Sequence, residues 1–338
     1  MNLSDLRIFV SAARRPSLGA AALELHLTPS AVSKALRRLE DSLGKPLFDR
    51  TAKQLALNES GHLLLARAQT LLALADQAKV DIMGRSAAVD CRIGGPAILL
   101  WRHGQAAAAA LRDYSEASLR MQAMFEDEAL AALARGDINA ALVTGAAIEG
   151  GGEHWSADWE VTPLGSVTLR LVAGWRHALV RARAPEPEEA QMRAREQDQE
   201  QMRGRILRAS KAEVLAHDFA CPSRSLFCGV QRGSRSDGWR DDQLPRKIRY
   251  WSDDLQLLLG FVKSGQALAY LPDFALADPD LLRIHVSDCA FECSEQVALV
   301  WNRCQAGDWQ RQLARALADA VSGCAAPADK LHSSDTSN

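Results

Sequence analysis

Leu27–Arg50, LTPSAVSKALRRLEDSLGKPLFDR, lays two patterns on one helix. At 100° per residue Val32, Leu36, Leu39 and Leu43 share one arc. Ser30, Ser33, Lys34 and Arg37 share another, roughly opposite, and no acid enters it before Glu40 and Asp41. Thr28 is a hydroxyl cap, and Pro29 stands at the first helical position, where a missing N–H costs nothing. Gly44 stops the helix. The polar arc has two readings: a face turned to water, or a face turned to a polyanion. Solvated faces usually mix charge signs. Cations with short hydroxyls suit a major groove instead, the cations meeting phosphates and the hydroxyls meeting base edges.

The flanks complete a motif. Leu3, Leu6, Val10 and Ala13 give a first helix, ended by Pro16 and Ser17. Gly19 to His26 reads as a short second helix with Ala22, Leu23 and Leu27 turned inward. Two short helices joined by a tight turn, the second bearing the polar arc, make a helix-turn-helix. KPLFDRTAKQLALNESG, residues 45–61, then reads as a hairpin, a wing with Arg50 and Lys53 near its tip. Asn58 and Glu59 open a fourth helix, running to about Gly84. Its run HLLLARAQTLLALADQAKVDI places Leu65, Ala68, Leu72, Ala75 and Ile82 at heptad-like spacing, with Leu64, Leu71 and Ala78 as a second stripe. So apolar a helix needs cover, from the rest of the chain or from a second copy. Its place between head and body favours a second copy, which makes the first five residues a dimerisation seam.

The 338-residue chain is 47% hydrophobic and 24% charged, a globular composition long enough for about two domains. Its formal charge is −2, unevenly spread. Residues 1–85 hold twelve Lys and Arg against eight Asp and Glu, so a basic head precedes an acidic body. MNLSDLRIFVSAARR has no secretory pattern, and no apolar run is long enough to cross a bilayer. Seven scattered Cys suggest a reducing cytoplasm.

The head resembles the LysR-type transcriptional regulators. Phe9 and Ala13, then SLGAAALELHL, TPSAVSKALRRLE, LGKPLFDR and LALNESG, follow that family's pattern in order and spacing over about sixty residues. The resemblance implies that Ser30, Ser33, Lys34 and Arg37 face the major groove, that Thr28 and Arg38 meet backbone, and that Arg50 and Lys53 reach phosphate or minor groove. Pro29 stands where the family often carries a base-reading Gln. The partners implied are double-stranded DNA at partly palindromic sites, a second copy in a homodimer or homotetramer, a small-molecule effector and RNA polymerase. No cofactor beyond such a co-inducer, no metal and no membrane contact are expected.

From Cys91 onward strands and helices alternate, which implies a mostly parallel sheet covered by helices. CRIGG, LRMQAMF, INAALVT, VTLRLVAGW, DFACP, KIRYW, ALAYLP and VALVWN read as strands. Helices fall at about 96–114, 126–136, 252–264 and 307–321. ARGDINAALV and GFVKSGQALAYLP resemble segments of the family's effector domain. The expected architecture is therefore α/β overall. A winged helix-turn-helix fills residues 1–58 and a linker helix 59–86. A two-lobed, periplasmic-binding-protein-like effector domain fills 89–322, and a disordered tail 325–338. Open α/β sheets bind ligands outside their strand ends. That makes Pro96, Ala97, Ile98, Leu99, Thr144, Gly145, Ser223 and Arg224 the cleft candidates. GGPAILLW is apolar where the family often shows Ser or Thr, which points to a less polar effector or to a body that only oligomerises. A charged stretch at 183–205 reads as a solvated insert, with a partner-binding arm as the other reading. Cys289 and Cys293 are too isolated for zinc. No nucleophile elbow, phosphate loop or dinucleotide fingerprint occurs, so an enzyme is not expected.

Overall fold

The computed structural model describes residues 1–49, 55–84, 88–150, 155–182, 206–228, 245–289, 292–304 and 306–324. Arg50, Lys53, the 183–205 stretch and the tail lie outside them.

The head contains α1 (Leu3–Arg14), α2 (Leu18–Glu24), α3 (Pro29–Leu43), β1 (Phe48–Asp49), β2 (Ala56–Leu57) and α4 (Glu59–Met83). Each of its first three helices begins with a side-chain cap: Asn2 accepts from Asp5 N, Ser17 from Ala20 N, and Thr28 from Ala31 N. Gly44 ends α3 in the left-handed region at φ 68°. The antiparallel β1–β2 pair pins Phe48 opposite Leu57. Phe48 meets Phe9 edge to face at 5.8 Å. Leu6, Phe9, Val32, Ala35, Leu39 and Leu47 close the core around them.

Helix α2 is shorter than its spacing suggested. The chain leaves it at Leu25 and turns through His26 at φ 53°. Ala21 and Ala22 form its inner face, whereas Leu23 is 80% exposed and Leu27 41% exposed. Small side chains let α2 seat on α3, and with Ala21 and Ala22 inward the helical phase leaves Leu23 outward.

The body follows. Its elements are β3 (Asp90–Gly95), α5 (Ala97–Ala110), β4 (Ser118–Ala123), α6 (Glu126–Arg135), β5 (Ala140–Thr144), α7 (Gly145–Glu149), β6 (Trp159–Gly174) and α8 (Ala178–Arg181). Then come β7 (Ile206–Ala209), α9 (Lys211–Leu215), β8 (Asp218–Cys221), β9 (Lys247–Trp251), α10 (Leu255–Lys263), β10 (Ala269–Pro272), a 3-10 turn (Asp273–Ala277), β11 (Leu281–Val286), β12 (Cys293–Asn302) and α11 (Asp308–Cys324). One sheet runs β4-β3-β5-β12-β6-β11-β7, with β10 also paired to β6. Strands β3, β4 and β5 are parallel, as the alternation required, and β12 lies antiparallel between β5 and β6. Strand β6 begins eight residues before the expected VTLRLVAGW segment and serves both lobes. A parallel β8–β9 pair extends the second lobe through a bridge from Phe219 to Leu268. Strands β7 and β11, which pair in parallel, are absent from the strands read in the sequence.

Candidate nucleic-acid interface

Helix α3 is anchored by one side and open on the other. Val32, Ala35, Leu36 and Leu39 are buried; Pro29, Ser30, Lys34 and Arg37 are exposed and Ser33 is half-buried. The Thr28 hydroxyl is engaged as the cap acceptor for Ala31 N at 3.2 Å. Among the described residues neither Lys34 nor Arg37 has a carboxylate within ion-pair distance. Two uncommitted cations therefore stand beside two hydroxyls on the face found by spacing.

Arg38 differs from Arg37. Its Nη2 donates to Asp5 Oδ1 at 2.6 Å, and Asp5 is buried. The pair ties α3 to the start of α1, so Arg38 is held by a carboxylate as well as facing water. Glu40 serves the fold, its Oε1 accepting the Leu47 amide at 2.8 Å and setting the entry to the wing. Neither role shows in helical spacing, because each partner lies on another element.

Helix α4 divides the expected seam. Ala68 and Leu72 are buried in the head core, and Leu65 and Ala75 are half-buried. Those two buried residues are committed within the chain and cannot lie in a seam between copies. Ile82 is 86% exposed and continues a different line, through Leu63, Leu71 and Leu74, all exposed. That line is exposed apolar surface on α4 among the described residues.

In the body, α5 opens at Pro96, but Ile98 and Leu99 turn into the sheet core. They were expected in the cleft and do not line it; the turn of α5 leaves Ala97 and Trp101 outward instead. Thr144 is buried at the end of β5, its Oγ1 without a hydrogen-bond partner among the described residues. Its amide donates to Glu126 Oε1 at 2.5 Å, and Glu126 is also buried. Gly145 follows, half-buried. On the second lobe the Ser223 amide, the Ser223 hydroxyl and the Arg224 amide all donate to the Asp253 carboxylate, at 2.8, 2.6 and 3.1 Å. Between the lobes Trp101 meets Phe274 edge to face at 5.0 Å, and the Arg102 guanidinium covers the same ring. Arg102 also donates to the Ser166 carbonyl of β6 at 2.6 Å. No group of three or more metal-ligating side chains occurs among the described residues.

Residues 3–62 match the family model described as bacterial regulatory helix-turn-helix protein, lysR family. The uncharacterized HTH-type transcriptional regulator y4mQ of Sinorhizobium fredii is 52% identical over 67 residues, which cover 20% of this chain and 22% of that protein. The match thus spans about a fifth of that relative's length. Over nearly the whole chain the likeness is one of fold. ArgP from Mycobacterium tuberculosis superposes with a TM-score of 0.58 at 18% identity, covering 94% of this chain and 97% of that one. Full-length LysG from Corynebacterium glutamicum, with bound effector Arg, gives 0.55 at 17% identity, covering 96% and 99%.

Proposed function

We propose that the chain, whose residues 3–62 match the model of bacterial regulatory helix-turn-helix proteins of the lysR family, is a DNA-binding transcriptional regulator acting as a homo-oligomer. The observation that carries this reading is the open face of α3, where Ser30, Ser33, Lys34 and Arg37 stand together and both cations are unpaired among the described residues. Paired through the exposed line of α4, two heads present two such helices to successive major grooves of a partly palindromic site. Pro29 offers no hydrogen bond of its own, so base reading falls to Ser30, Ser33 and Arg37. RNA polymerase is the partner through which such binding alters transcription.

The body is read as the sensor of a small molecule held at the strand ends, where Thr144 brings a buried hydroxyl lacking a partner among the described residues. A second reading has its own support. Asp253 already takes the Ser223 amide, the Ser223 hydroxyl and the Arg224 amide, and Trp101 and Phe274 meet across the lobes. A body so closed would serve oligomerisation alone.

The test is selection of genomic fragments by the purified chain at fixed moderate salt. A recurrent, partly symmetric site is expected, bound about 10- to 100-fold more weakly by Arg37→Ala, with relaxed preference at one position. Ser33→Ala is expected to relax a neighbouring position. Recovery of fragments with no shared sequence would reject the reading.

A further inference from the structure

Helix α6 has one end at the candidate cleft and the other on the head. In a parallel β–α–β unit the helix runs against its strands, so it starts where they finish. Strand β4, α6 and parallel β5 form such a unit within one sheet. At the start of α6 the buried Glu126 carboxylate accepts the Thr144 amide at 2.5 Å. At its finish the Arg135 carbonyl accepts two donors from the head: Arg14 Nε at 2.9 Å and Gln69 Nε2 at 2.7 Å. Arg14 is the last residue of α1 and Gln69 lies on α4. Arg14 also stands 3.8 Å from the Asp137 carboxylate.

The join is built. Gly136 ends α6 at φ 73°, and a Cβ there would lie 2.5 Å from Arg14 Nη2. The glycine thus both permits the left-handed turn and leaves room for the guanidinium. The last carbonyls of a helix carry the negative end of its dipole, so a cation placed there is favoured. The Arg14 side chain is only 17% exposed and Gln69 is buried, so water competes weakly for the Gln69 bond, while the Arg14 bond lies nearer the surface.

We propose that α6 is a strut coupling the cleft to the head. A change at Glu126 and Thr144 shifts the helix along its axis, moves the Arg135 carbonyl and alters its hold on Arg14 and Gln69. Helix α1 then carries the shift to α3 through the shared core and the Asp5–Arg38 pair. Ten residues make a rod of about 15 Å, too short to absorb the shift by bending. The proposal rests on the reading of the strand ends as a ligand site and adds to it the route by which occupancy reaches the DNA-binding face.

Coupling of two sites is reciprocal, which gives a test needing neither DNA nor effector. Amide hydrogen exchange of the full chain is followed by mass spectrometry in wild type, Gln69→Ala, Glu126→Gln and a control, Glu128→Gln, on the exposed face of α6. Gln69→Ala is expected to speed exchange in peptides holding Thr144 by about fivefold or more. Glu126→Gln is expected to do the same at the end of α1 and around Gly136, and the control to do neither. Exchange that changes only at the altered end overturns the strut. If Glu126→Gln fails to fold, Gln69→Ala decides alone, since its predicted effect lies at the far end of α6. Failure of fragment selection would remove the regulator reading and leave this result standing; a recovered site with uncoupled ends would remove only the strut.

Discussion

Arg37 and Arg38 are neighbours in sequence and have different surroundings. Arg37 has no carboxylate partner among the described residues, while Arg38 holds Asp5. Spacing alone separates them poorly, since both fall on the polar side of α3. The difference comes from Asp5, 33 residues earlier, which only the packing of α1 on α3 brings near. The hydroxyls and cations of the open face were legible because they share one helix. The carboxylate anchor was not, because it depends on tertiary contact. Lys34 also lies on the open face, and the proposed regulator would set it against phosphate as a point charge. Lys34→Ala is expected to reduce the slope of log affinity against log salt by about 1, with sequence preference unchanged. Affinity measured at four or five salt concentrations, on a selected and on an unrelated duplex, checks this. An altered preference would make Lys34 a base reader instead.

At the scale of elements, α4 shows what an apolar helix does and does not disclose. Its stripes were plain, but periodicity cannot say which stripe the chain itself consumes. The head core takes Ala68 and Leu72, and the adjacent line of Leu63, Leu71, Leu74 and Ile82 remains outside. The two lines predict different failures. Leu74→Asp is expected to leave the head folded and to raise the dimer dissociation constant by roughly 100-fold or more, because a carboxylate would be buried between copies. Ala68→Asp is expected to unfold the head at a cost of about 3 kcal/mol or more. Sedimentation separates the first outcome and circular dichroism the second. A Leu74→Asp chain with wild-type association would place the partner on another face. Helix α5 teaches a related lesson. Its start at Pro96 was legible, but the turn that buries Ile98 and Leu99 was set by the sheet beneath.

Across the whole molecule, the parallel β3, β4 and β5 core followed from alternation and the second half of β6 was legible as a strand, whereas the first half of β6 and strands β7 and β11 were not. Strand β6 draws its partners from β10, β11 and β12, all more than 90 residues later, and no local pattern announces such pairing. Buried titration is also a property of the assembled body. His103 in the first lobe and His177 in the second are each pushed down to about 4 by burial, with Arg102 and His217 respectively adding to the effect. Unfolding returns both to about 6.5, so below that pH the unfolded chain binds protons that the folded one refuses. Stability is therefore expected to be complete above pH 6.5, to fall by up to about 3 kcal/mol per imidazole toward pH 4, and to level off below it. Denaturant titrations across that range check the fall, and His103→Leu is expected to remove part of it. A pH-independent midpoint would mean that water reaches both rings.

The long shared strand has a mechanical consequence. β6 pairs with β12 on either side of an irregularity between Gln296 and Ala298, and Gly165 lies opposite it at φ 72°. The eight-stranded sheet of the described residues thus has a break in register partway along the strand that both lobes share. Anything that wedged the lobes apart would do elastic work on β6 and its ladder with β12. A ligand at the proposed cleft would then be gripped by the stiffness of that shared strand as much as by the atoms it touched.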